Sequence, residues 1–509
     1  MGFLTLDIGT TNWKAVVFSQ QCMPVCSAKR PARTVQGQDG LPYYDPRQVW
    51  ESVVEMIAEV STQYPLDKLE AVSVTSMGEA VVPMGRDGQP VFPIIPWFDT
   101  RSIQQADQVR HQVGAQRAFA ITGTEAGAIF SLPKMLWIRT HYPQVFARVH
   151  KWLQMADYIN YRLCSRFVTD PSMACRTLAF DLERSTWSEE MLAPFGLDPS
   201  LFPEVLPSGS IVGSVNAKTA GETGLPQELP VVLGGHDHPV ASIAGCTFSG
   251  NTVFDSSGTA EPFLYISQPG ETLPAEMVGQ RYTRHPLPQR FITWGGIVSS
   301  GVCVDWAVQR FASHRDFTDR QMQGDYNILF DTATSLPPGS DGLIFHPALR
   351  GGSAPSWDPL RKGALLGLTD RHTSVHLLRA VLEGLCYQAK RILQMHTQVS
   401  GRSIDTIRCM GGGARISLWQ QIKADVTGCV VQAGNVTDAT PMGAAILCAY
   451  ALDGRVSLEE TAQAMQPGYR TFEPDAKKHR IYEECFALYL QSGDALEQLD
   501  HQLDALTRR

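Results

Sequence analysis

Two short turns of glycine and small hydroxyl residues, each beginning with an aspartate, are the parts of this chain best suited to bind an anion. The first is Asp7-Ile-Gly-Thr-Thr and the second is Asp255-Ser-Ser-Gly-Thr, and each lies between strand-like apolar runs. Glycine lets the main chain approach a ligand closely, so such turns can present backbone N–H groups to a phosphate. A carboxylate repels phosphate unless a divalent cation lies between them. These residues therefore predict a duplicated phosphotransferase that uses a divalent cation.

A further carboxylate, Asp237, follows a strand-like run and two glycines and precedes a segment predicted to be helical. At the carboxyl end of a strand in an open α/β sheet, an aspartate lies where such sheets bind ligands, and it can accept the proton of an attacking hydroxyl. Aspartate is also a favoured helix N-cap. The spacing alone leaves both roles open.

Histidines flank this aspartate on both sides, at His236 and His238. No further His or Cys lies nearby in sequence to complete a tetrahedral metal site. A contact from His238 to a substrate hydroxyl and a purely structural role remain as alternatives. Lys14, just after the first turn, can likewise reach a phosphate or be solvated.

A triple glycine at residues 411–413 lies between a predicted strand and a predicted helix. Such a flat backbone at a helix N-terminus suits the ribose or adenine of a nucleotide. Close packing of a helix on a strand also requires glycines, so the motif gains weight only from sharing its half of the chain with the second phosphate turn.

The elements that must position these residues are strands that end in polar loops. Hydrophobic patterning predicts a three-stranded antiparallel start and a helix that begins at Pro46, capped by Asp45. Strands that end in such loops and continue into helices indicate an open α/β sheet. The predicted strands are Phe3–Ile8, Asn12–Ser19, Pro24–Pro31, Leu69–Thr75, Leu229–Leu233, Thr252–Asp255 and Thr406–Met410.

Length and patterning predict two domains with one plan. The chain has 509 residues, and the predicted limits are 1–245 for the first domain and 246–450 for the second. Residues 451–509 are predicted to be a helical extension of the second domain.

Composition argues against several classes of partner. The net charge is −8 and no Lys/Arg cluster is present, whereas binding of nucleic acid needs a basic surface. The eleven cysteines form no CxxC pair, which predicts reduced thiols rather than a zinc site or disulfides. No apolar run approaches the roughly 18 residues of a membrane span. We therefore expect a cytoplasmic protein whose partner is a small molecule.

The chain resembles the FGGY carbohydrate kinases, within the actin/hexokinase/chaperone ATPase superfamily. The most specific likeness is Gly363-Ala-Leu-Leu-Gly-Leu followed seven residues later by His376-Leu-Leu-Arg-Ala-Val-Leu-Glu383. The resemblance implies two ribonuclease-H-like domains related by an internal duplication, with the active site in the cleft between them. Other matching motifs are Asp7-Ile-Gly-Thr-Thr, Lys134-Met-Leu-Trp137, Leu233-Gly-Gly-His-Asp237, Ser257-Gly-Thr259, Gly411-Gly-Gly-Ala and Gly443-Ala-Ala.

The resemblance also implies roles for single residues. Asp237 matches the catalytic base, which takes a proton from the sugar hydroxyl as it attacks the γ-phosphate of ATP. Asp7 matches the carboxylate near magnesium, so ATP and Mg²⁺ are the implied cofactors. The implied ATP-binding residues are Thr10, Thr11 and Lys14 in the first phosphate turn, Ser257, Gly258 and Thr259 in the second, and Gly411, Gly412 and Gly413 at the adenosine.

The acceptor is implied only as a sugar, such as a ketose, or a polyol. Glycerol kinases carry Arg-Glu and xylulose kinases Met-His where this chain has Met77-Gly78-Glu79. The polar set expected to bind acceptor hydroxyls, with one aromatic platform, is Met77, Glu79, Trp97, Asp99, Asp237 and His238. A homodimer stays open.

Two other functions stay open beside the kinase. A regulatory member of the family would bind sugar without turnover, and intact Asp7, Asp237 and phosphate turns argue against it. An ATPase that acts on proteins would share the nucleotide fold, but the motif at 363–383 favours a sugar kinase.

Overall fold

Two twisted sheets form the framework of the chain. The computed structural model describes residues 1–271, 281–311, 330–454 and 457–507. The first sheet has six strands in the order β5-β6-β4-β1-β2-β3. They are β1 (Gly2–Ile8), β2 (Asn12–Ser19), β3 (Pro24–Pro31), β4 (Leu69–Ser76), β5 (Ile211–Ser214) and β6 (Pro230–His236).

The three central strands of this sheet, β6, β4 and β1, are parallel. Every residue of β1 is buried, as expected for a strand that is covered on both faces. In the register, Ser76 lies opposite both Ile8 and His236. The turns that follow these strands therefore leave the sheet at one edge.

The second sheet has seven strands in the order β9-β10-β8-β7-β11-β12-β13. As in the first sheet, an antiparallel hairpin comes first (β7 with β8), and its first strand pairs in parallel with a later strand (β11). The strands are β7 (Thr252–Ser256), β8 (Glu261–Ile266), β9 (Arg281–Arg284), β10 (Phe291–Ile297), β11 (Thr406–Met410), β12 (Val430–Gly434) and β13 (Tyr469–Phe472).

The longer helices pack against these sheets. Helix α1 begins at Pro46, and the side chain of Asp45 accepts a hydrogen bond from the backbone N–H of Arg47. The longer helices and those named below are α1 (Pro46–Ser61), α2 (Asp237–Ala244), α3 (Ser300–Phe311), α4 (Ser374–Ser400), α5 (Ser417–Thr427), α6 (Ala439–Asp453) and α7 (Ala476–Thr507).

The remaining elements connect the main ones. Among the described residues the other α-helices are Ile103–Val109, Ala115–Thr122, Ser131–His141, Pro143–Phe146, Met155–Cys164, Pro171–Ala174, Glu189–Leu192, Ala217–Thr223 and Leu458–Ala464. The two-stranded pairs are Val35–Gln36 with Pro42–Tyr43, Val81–Met84 with Lys151–Gln154, Glu204–Val205 with Val168–Thr169, Phe180–Asp181 with Thr186–Trp187, and Ile344–His346 with Ala364–Leu366.

The chain divides into two compact units that are not consecutive stretches of sequence. The first comprises Met1–Cys246, Ala275–Ile292 and Ala439–Gln466, and the second comprises Thr247–Pro274, Thr293–Asp438 and Pro467–Arg509. The predicted domain limits differ from this division, because α6 packs on β1, β4 and α2 in the first unit. A Cβ built on Gly443 would lie 2.0 Å from the carbonyl oxygen of Val240, so this helix crossing requires glycine.

The α/β class with two similarly built units is confirmed, and so are the two hairpins that carry the phosphate turns. The extension predicted for residues 451–509 is helical over most of its described length but not all of it, because β13 pairs with β12 at the edge of the second sheet. This strand has only four residues, which is too short a stretch for its pattern to reveal it. All eleven cysteines are free thiols. In the described part of the chain no helix has the length and apolar character needed to cross a membrane.

Candidate active site

Asp237 is the first residue of α2 and directly follows β6. Its carboxylate accepts a hydrogen bond from the backbone N–H of His238 at 2.7 Å and lies 3.2 Å from Nε2 of His236. Asp237 is not itself the N-cap residue, which is His236, but its carboxylate does bond an N–H of the first helical turn. Its side chain is 18% exposed. A structural role at the start of α2 therefore stays open beside the role of a base.

The imidazole of His236 is buried beside this carboxylate. Burial, and then the charges of Arg176 and His238, hold the pKa of His236 well below its usual range. A neutral imidazole forms no ion pair with the neighbouring carboxylate of Asp237. The rings of His236 and His238 meet edge to face with centroids 6.2 Å apart.

Met77 follows β4, next to β6, and a tight turn centred on Glu79 comes directly after it, closed by a hydrogen bond from the N–H of Ala80 to the carbonyl oxygen of Gly78 at 2.8 Å. Glu79 is buried and adopts a left-handed φ of 60°, which is uncommon for a residue with a side chain. Its carboxylate forms an ion pair with Arg176. Sequence reasoning did not single out Arg176, which lies in a short helical turn about a hundred residues further along the chain.

Lys134 connects this turn to the loop that carries Trp97. Its fully buried ammonium group donates to the carbonyl oxygens of Glu79 at 3.1 Å, Pro96 at 2.8 Å and Trp97 at 3.3 Å. Burial lowers the pKa of Lys134 to about 7. The indole N–H of Trp97 in turn donates to Oγ1 of Thr10 at 2.8 Å. The predicted acceptor residues Glu79 and Trp97 are therefore tied to each other, and Trp97 to the first phosphate turn.

Asp99 lies on the same loop, but Arg101 binds both of its carboxylate oxygens at 2.7 Å. Burial acts to raise the pKa of Asp99, and the hydrogen bonds from Arg101 outweigh burial, so this pKa lies below its usual value. A sugar hydroxyl would have to share these oxygens with the guanidinium. Asp99 is therefore the weakest of the predicted acceptor ligands.

The first phosphate turn follows β1. Asp7 on β1 lies opposite Lys14 on β2, and its carboxylate accepts a hydrogen bond from Oγ1 of Thr75 at 3.2 Å. Thr10 and Thr11 at the tip are exposed. The turn therefore combines exposed hydroxyl and backbone groups at its tip with a carboxylate and an ammonium group on the strands behind it.

The second phosphate turn is packed against the triple glycine. The N–H of Ser257 donates to the carbonyl oxygen of Met410 at 2.8 Å, and the N–H of Gly413 donates to the carbonyl oxygen of Ser257 at 3.1 Å. Gly411 has φ of 107°, and a Cβ there would lie 2.4 Å from the carbonyl oxygen of Ser257. Packing thus requires glycine at 411, whereas a Cβ on Gly412 would meet nothing within 4 Å.

The tip of this turn is supported by α3. The N–H of Gly301 donates to the carbonyl oxygens of Gly258 and Thr259, both at 3.1 Å. A Cβ on Gly301 would lie 2.5 Å from the carbonyl oxygen of Gly258. Sequence reasoning missed this contact, although a Ser-Ser-Gly run, residues 299–301, stands at the start of α3.

Asp255, the aspartate of the second turn, differs from Asp7 in the groups that contact its carboxylate. Asp255 is fully buried in an ion pair with Lys423 of α5, and Lys423 also binds Glu261 at 2.8 Å. Because a lysine already neutralises Asp255, Asp7 stays the one predicted ligand of a divalent cation of these two aspartates. Among the described residues no group of three or more His, Cys, Asp or Glu could hold a metal ion by itself.

Within the first unit the structure thus brings together Asp237, Met77 and Glu79 at one sheet edge, with Trp97 tied to Glu79 and to Thr10. Within the second unit it brings together the predicted phosphate and adenosine residues, Ser257, Gly258, Thr259, Gly411, Gly412 and Gly413.

Comparison with known proteins gives matches along nearly the whole chain. Residues 3–244 match the N-terminal domain of the FGGY family of carbohydrate kinases, and residues 254–452 match the C-terminal domain. A gluconokinase of Bacillus licheniformis is 26% identical over 97% of this chain and 96% of its own length. A xylulose kinase of Staphylococcus epidermidis is 26% identical over 99% of each chain.

A solved structure shows the same fold. The xylulose kinase of Rhodospirillum rubrum superposes with a TM-score of 0.87 at 25% identity, over 98% of this chain and 100% of that one.

Proposed function

The chain belongs to the FGGY family of carbohydrate kinases, and from this premise we propose that it transfers the γ-phosphoryl group of Mg-ATP to a hydroxyl group of a sugar, such as a ketose, or of a polyol. Asp237 is the general base in this proposal, and it takes the proton of the attacking hydroxyl. Proton transfer to a well-placed carboxylate contributes about 10²–10⁴ in rate.

The observation that carries the proposal is the environment of Asp237. The carboxylate lies at the carboxyl end of a parallel strand, is partly exposed, and has a neutral histidine as its neighbour. The turn of Met77 and Glu79 leaves the adjacent strand at the same edge. An acceptor bound by Glu79, Trp97 and His238 would place a hydroxyl near the base, and Met77 would supply an apolar contact.

We assign phosphate binding to residues of each unit taken separately. In the first unit they are Thr10, Thr11 and Lys14, and in the second unit they are Ser257, Gly258 and Thr259, with the triple glycine at residues 411–413 assigned to the adenosine. The open space at Gly412 fits a role in ligand contact, because packing does not require glycine there. Gly411 and Gly413 would hold the backbone of this glycine segment in place.

The donor set fits magnesium only together with phosphates. Mg²⁺ is usually held by one or two carboxylates, water and substrate phosphates. Asp7 offers such a carboxylate, whereas Asp255 is neutralised by Lys423. When bound, Mg²⁺ would neutralise charge on the transferred phosphoryl group.

An acceptor panel tests the proposal directly. ADP formation from Mg-ATP would be measured with xylulose, gluconate, other ketoses, pentitols and glycerol, each against a reaction without acceptor. We expect one acceptor class to raise ADP formation and to yield a sugar phosphate. A rate at the no-acceptor level throughout, with ligand-induced thermal stabilisation by a sugar, would instead support a regulatory sugar-binding protein.

A further inference from the structure

The space beside Gly78 is filled by a side chain from elsewhere in the first unit. A Cβ built on Gly78 would lie 2.7 Å from Cγ and 3.0 Å from Cβ of Arg176, and 3.3 Å from Nε2 of His236. Contacts this short to a buried stem are not accommodated without displacement. Position 78 therefore has to be glycine as long as Arg176 occupies this space.

Two cations contact Glu79, one at its carboxylate and one at its main-chain carbonyl oxygen. Its carboxylate pairs with Arg176, the two side chains being 6% and 7% exposed, and its carbonyl oxygen accepts from Lys134. The guanidinium also lies over the ring of Phe130, 5.2 Å from the centroid. A left-handed backbone at a residue other than glycine is strained and persists only where the surroundings impose it. This concentration of contacts on a strained residue indicates that the orientation of the carboxylate matters for function.

The same arginine borders the proposed base. Gly78 separates the stem of Arg176 from Nε2 of His236, and that nitrogen lies 3.2 Å from Oδ1 of Asp237. A second arginine is close by: burial and then the charge of Arg176 lower the pKa of Arg281 to about 10, against the opposing charges of Glu79 and Glu125. The stem of Arg176 thus packs across Gly78 from His236, the neighbour of the proposed base, and after burial the charge of Arg176 helps to lower the pKa of that histidine.

We propose that Arg176 determines acceptor specificity and that, with Glu79, it recognises a hydroxyl group next to a C=O oxygen. This inference rests on the proposed function. A guanidinium only donates hydrogen bonds, and its five donors can serve Glu79 and a ligand oxygen together, whereas an ionised carboxylate only accepts. The pair therefore matches a carbonyl or carboxylate oxygen beside a hydroxyl. That group occurs in open-chain ketoses and in aldonates, and it is missing from alditols.

The test uses Arg176→Met and Arg176→Lys in the full chain, with a ketose, an aldonate and an alditol as acceptors. A charged hydrogen bond is worth about 1.5–3 kcal/mol, which corresponds to roughly 10- to 150-fold. We expect Arg176→Met to raise the acceptor KM by about this factor for the ketose or the aldonate, to change the KM for ATP less than about threefold, and to reduce the preference over the alditol. Arg176→Lys should recover part of the loss. If the KM rises for the ketose, the recognised oxygen is that of a ketone. If it rises for the aldonate, the recognised oxygen is that of a carboxylate.

Two further variants keep the result interpretable. Arg117→Met removes an exposed arginine that pairs with Glu190 and should leave all constants unchanged. Gly78→Ala displaces Arg176 without removing a charge, and it should raise the same acceptor KM even if Arg176→Met does not fold. An acceptor KM unchanged in Arg176→Met or Gly78→Ala, or an equal loss for the alditol, would overturn this inference. Failure of the proposed function would look different, because the wild-type protein would then phosphorylate no acceptor.

Discussion

Lys423 and Asp255 form a fully buried ion pair at the end of the strand that leads into the second phosphate turn. Glu261 accepts from the same ammonium group and, at 2.6 Å, from Oγ of Ser300. Burial raises the pKa of Asp255 to about 7, although the charge of Lys423 opposes this. Burial acts to lower the pKa of Lys423, but the charges of neighbouring groups, among them Asp255 and Glu261, outweigh burial and hold that pKa well above its usual value. The two turns therefore share a backbone plan but differ in electrostatics.

Loss of this cation should destabilise the second unit strongly. In Lys423→Met two carboxylates lose their buried partner, and breaking a buried pair costs about 3–5 kcal/mol. Urea unfolding of the variant and of the wild type measures the change. Lys218→Met, which removes an exposed lysine 4.0 Å from Glu222, is the matched control and should change stability by less than about 0.5 kcal/mol. Equal midpoints for Lys423→Met and wild type would contradict the assignment.

The triple glycine at residues 411–413 predicts different effects of an added methyl group at the adjacent positions 412 and 413. A Cβ on Gly413 would lie 2.1 Å from Oγ of Ser257 and 2.7 Å from the ring of Trp419, so Gly413→Ala should cost about 1–3 kcal/mol of stability. Gly412→Ala meets no neighbour and should leave the melting temperature unchanged while raising the KM for ATP several-fold. Thermal unfolding and ATP titration of both variants test this pair. A melting temperature lowered more by Gly412→Ala than by Gly413→Ala would refute it.

The lowered pKa of Lys134 predicts that the free energy of unfolding depends on pH. Its pKa is about 7 in the folded chain, against an ordinary value of 10.5. Between these values the unfolded chain binds more protons, so the stability contributed at this site rises with pH, by at most about 1.4 kcal/mol per pH unit, and levels off above the ordinary pKa. Below pH 7 both states are protonated and the penalty is complete.

The measurement is the difference in unfolding free energy between wild type and Lys134→Met from pH 6 to pH 10. We expect wild type to gain stability relative to the variant as the pH rises above 7. A pH-independent difference would show that Lys134 is charged in the fold throughout this range.

Local patterns predicted the framework well, because hairpins and capped helices are encoded by neighbouring residues. Strands β2, β3 and β11 begin and end where the sequence places them, and Asp45 caps α1. Asp7 and Asp237 could be selected as candidate site residues because glycine turns and strand ends mark them.

The sequence did not reveal Arg176 and Lys423, the cations that pair with Glu79 and Asp255, because each cation and its partner are far apart in sequence. Arg176 contacts Glu79 across 97 positions, and Lys423 contacts Asp255 across 168. No local pattern signals such pairs. The same limit applies to α6, which belongs to the first unit although it follows the second phosphate turn by almost two hundred residues.

The central claim, that Asp237 is the general base of phosphoryl transfer to a sugar, is tested most directly by the rate of sugar-phosphate formation in Asp237→Asn. Acceptor binding would be measured alongside by calorimetry, and Asp198→Asn, which alters an exposed capping aspartate in the same unit, serves as the control. The account predicts a rate lower by about 10²–10⁴ with acceptor affinity changed only a few-fold. A variant that forms the sugar phosphate at the wild-type rate would contradict it.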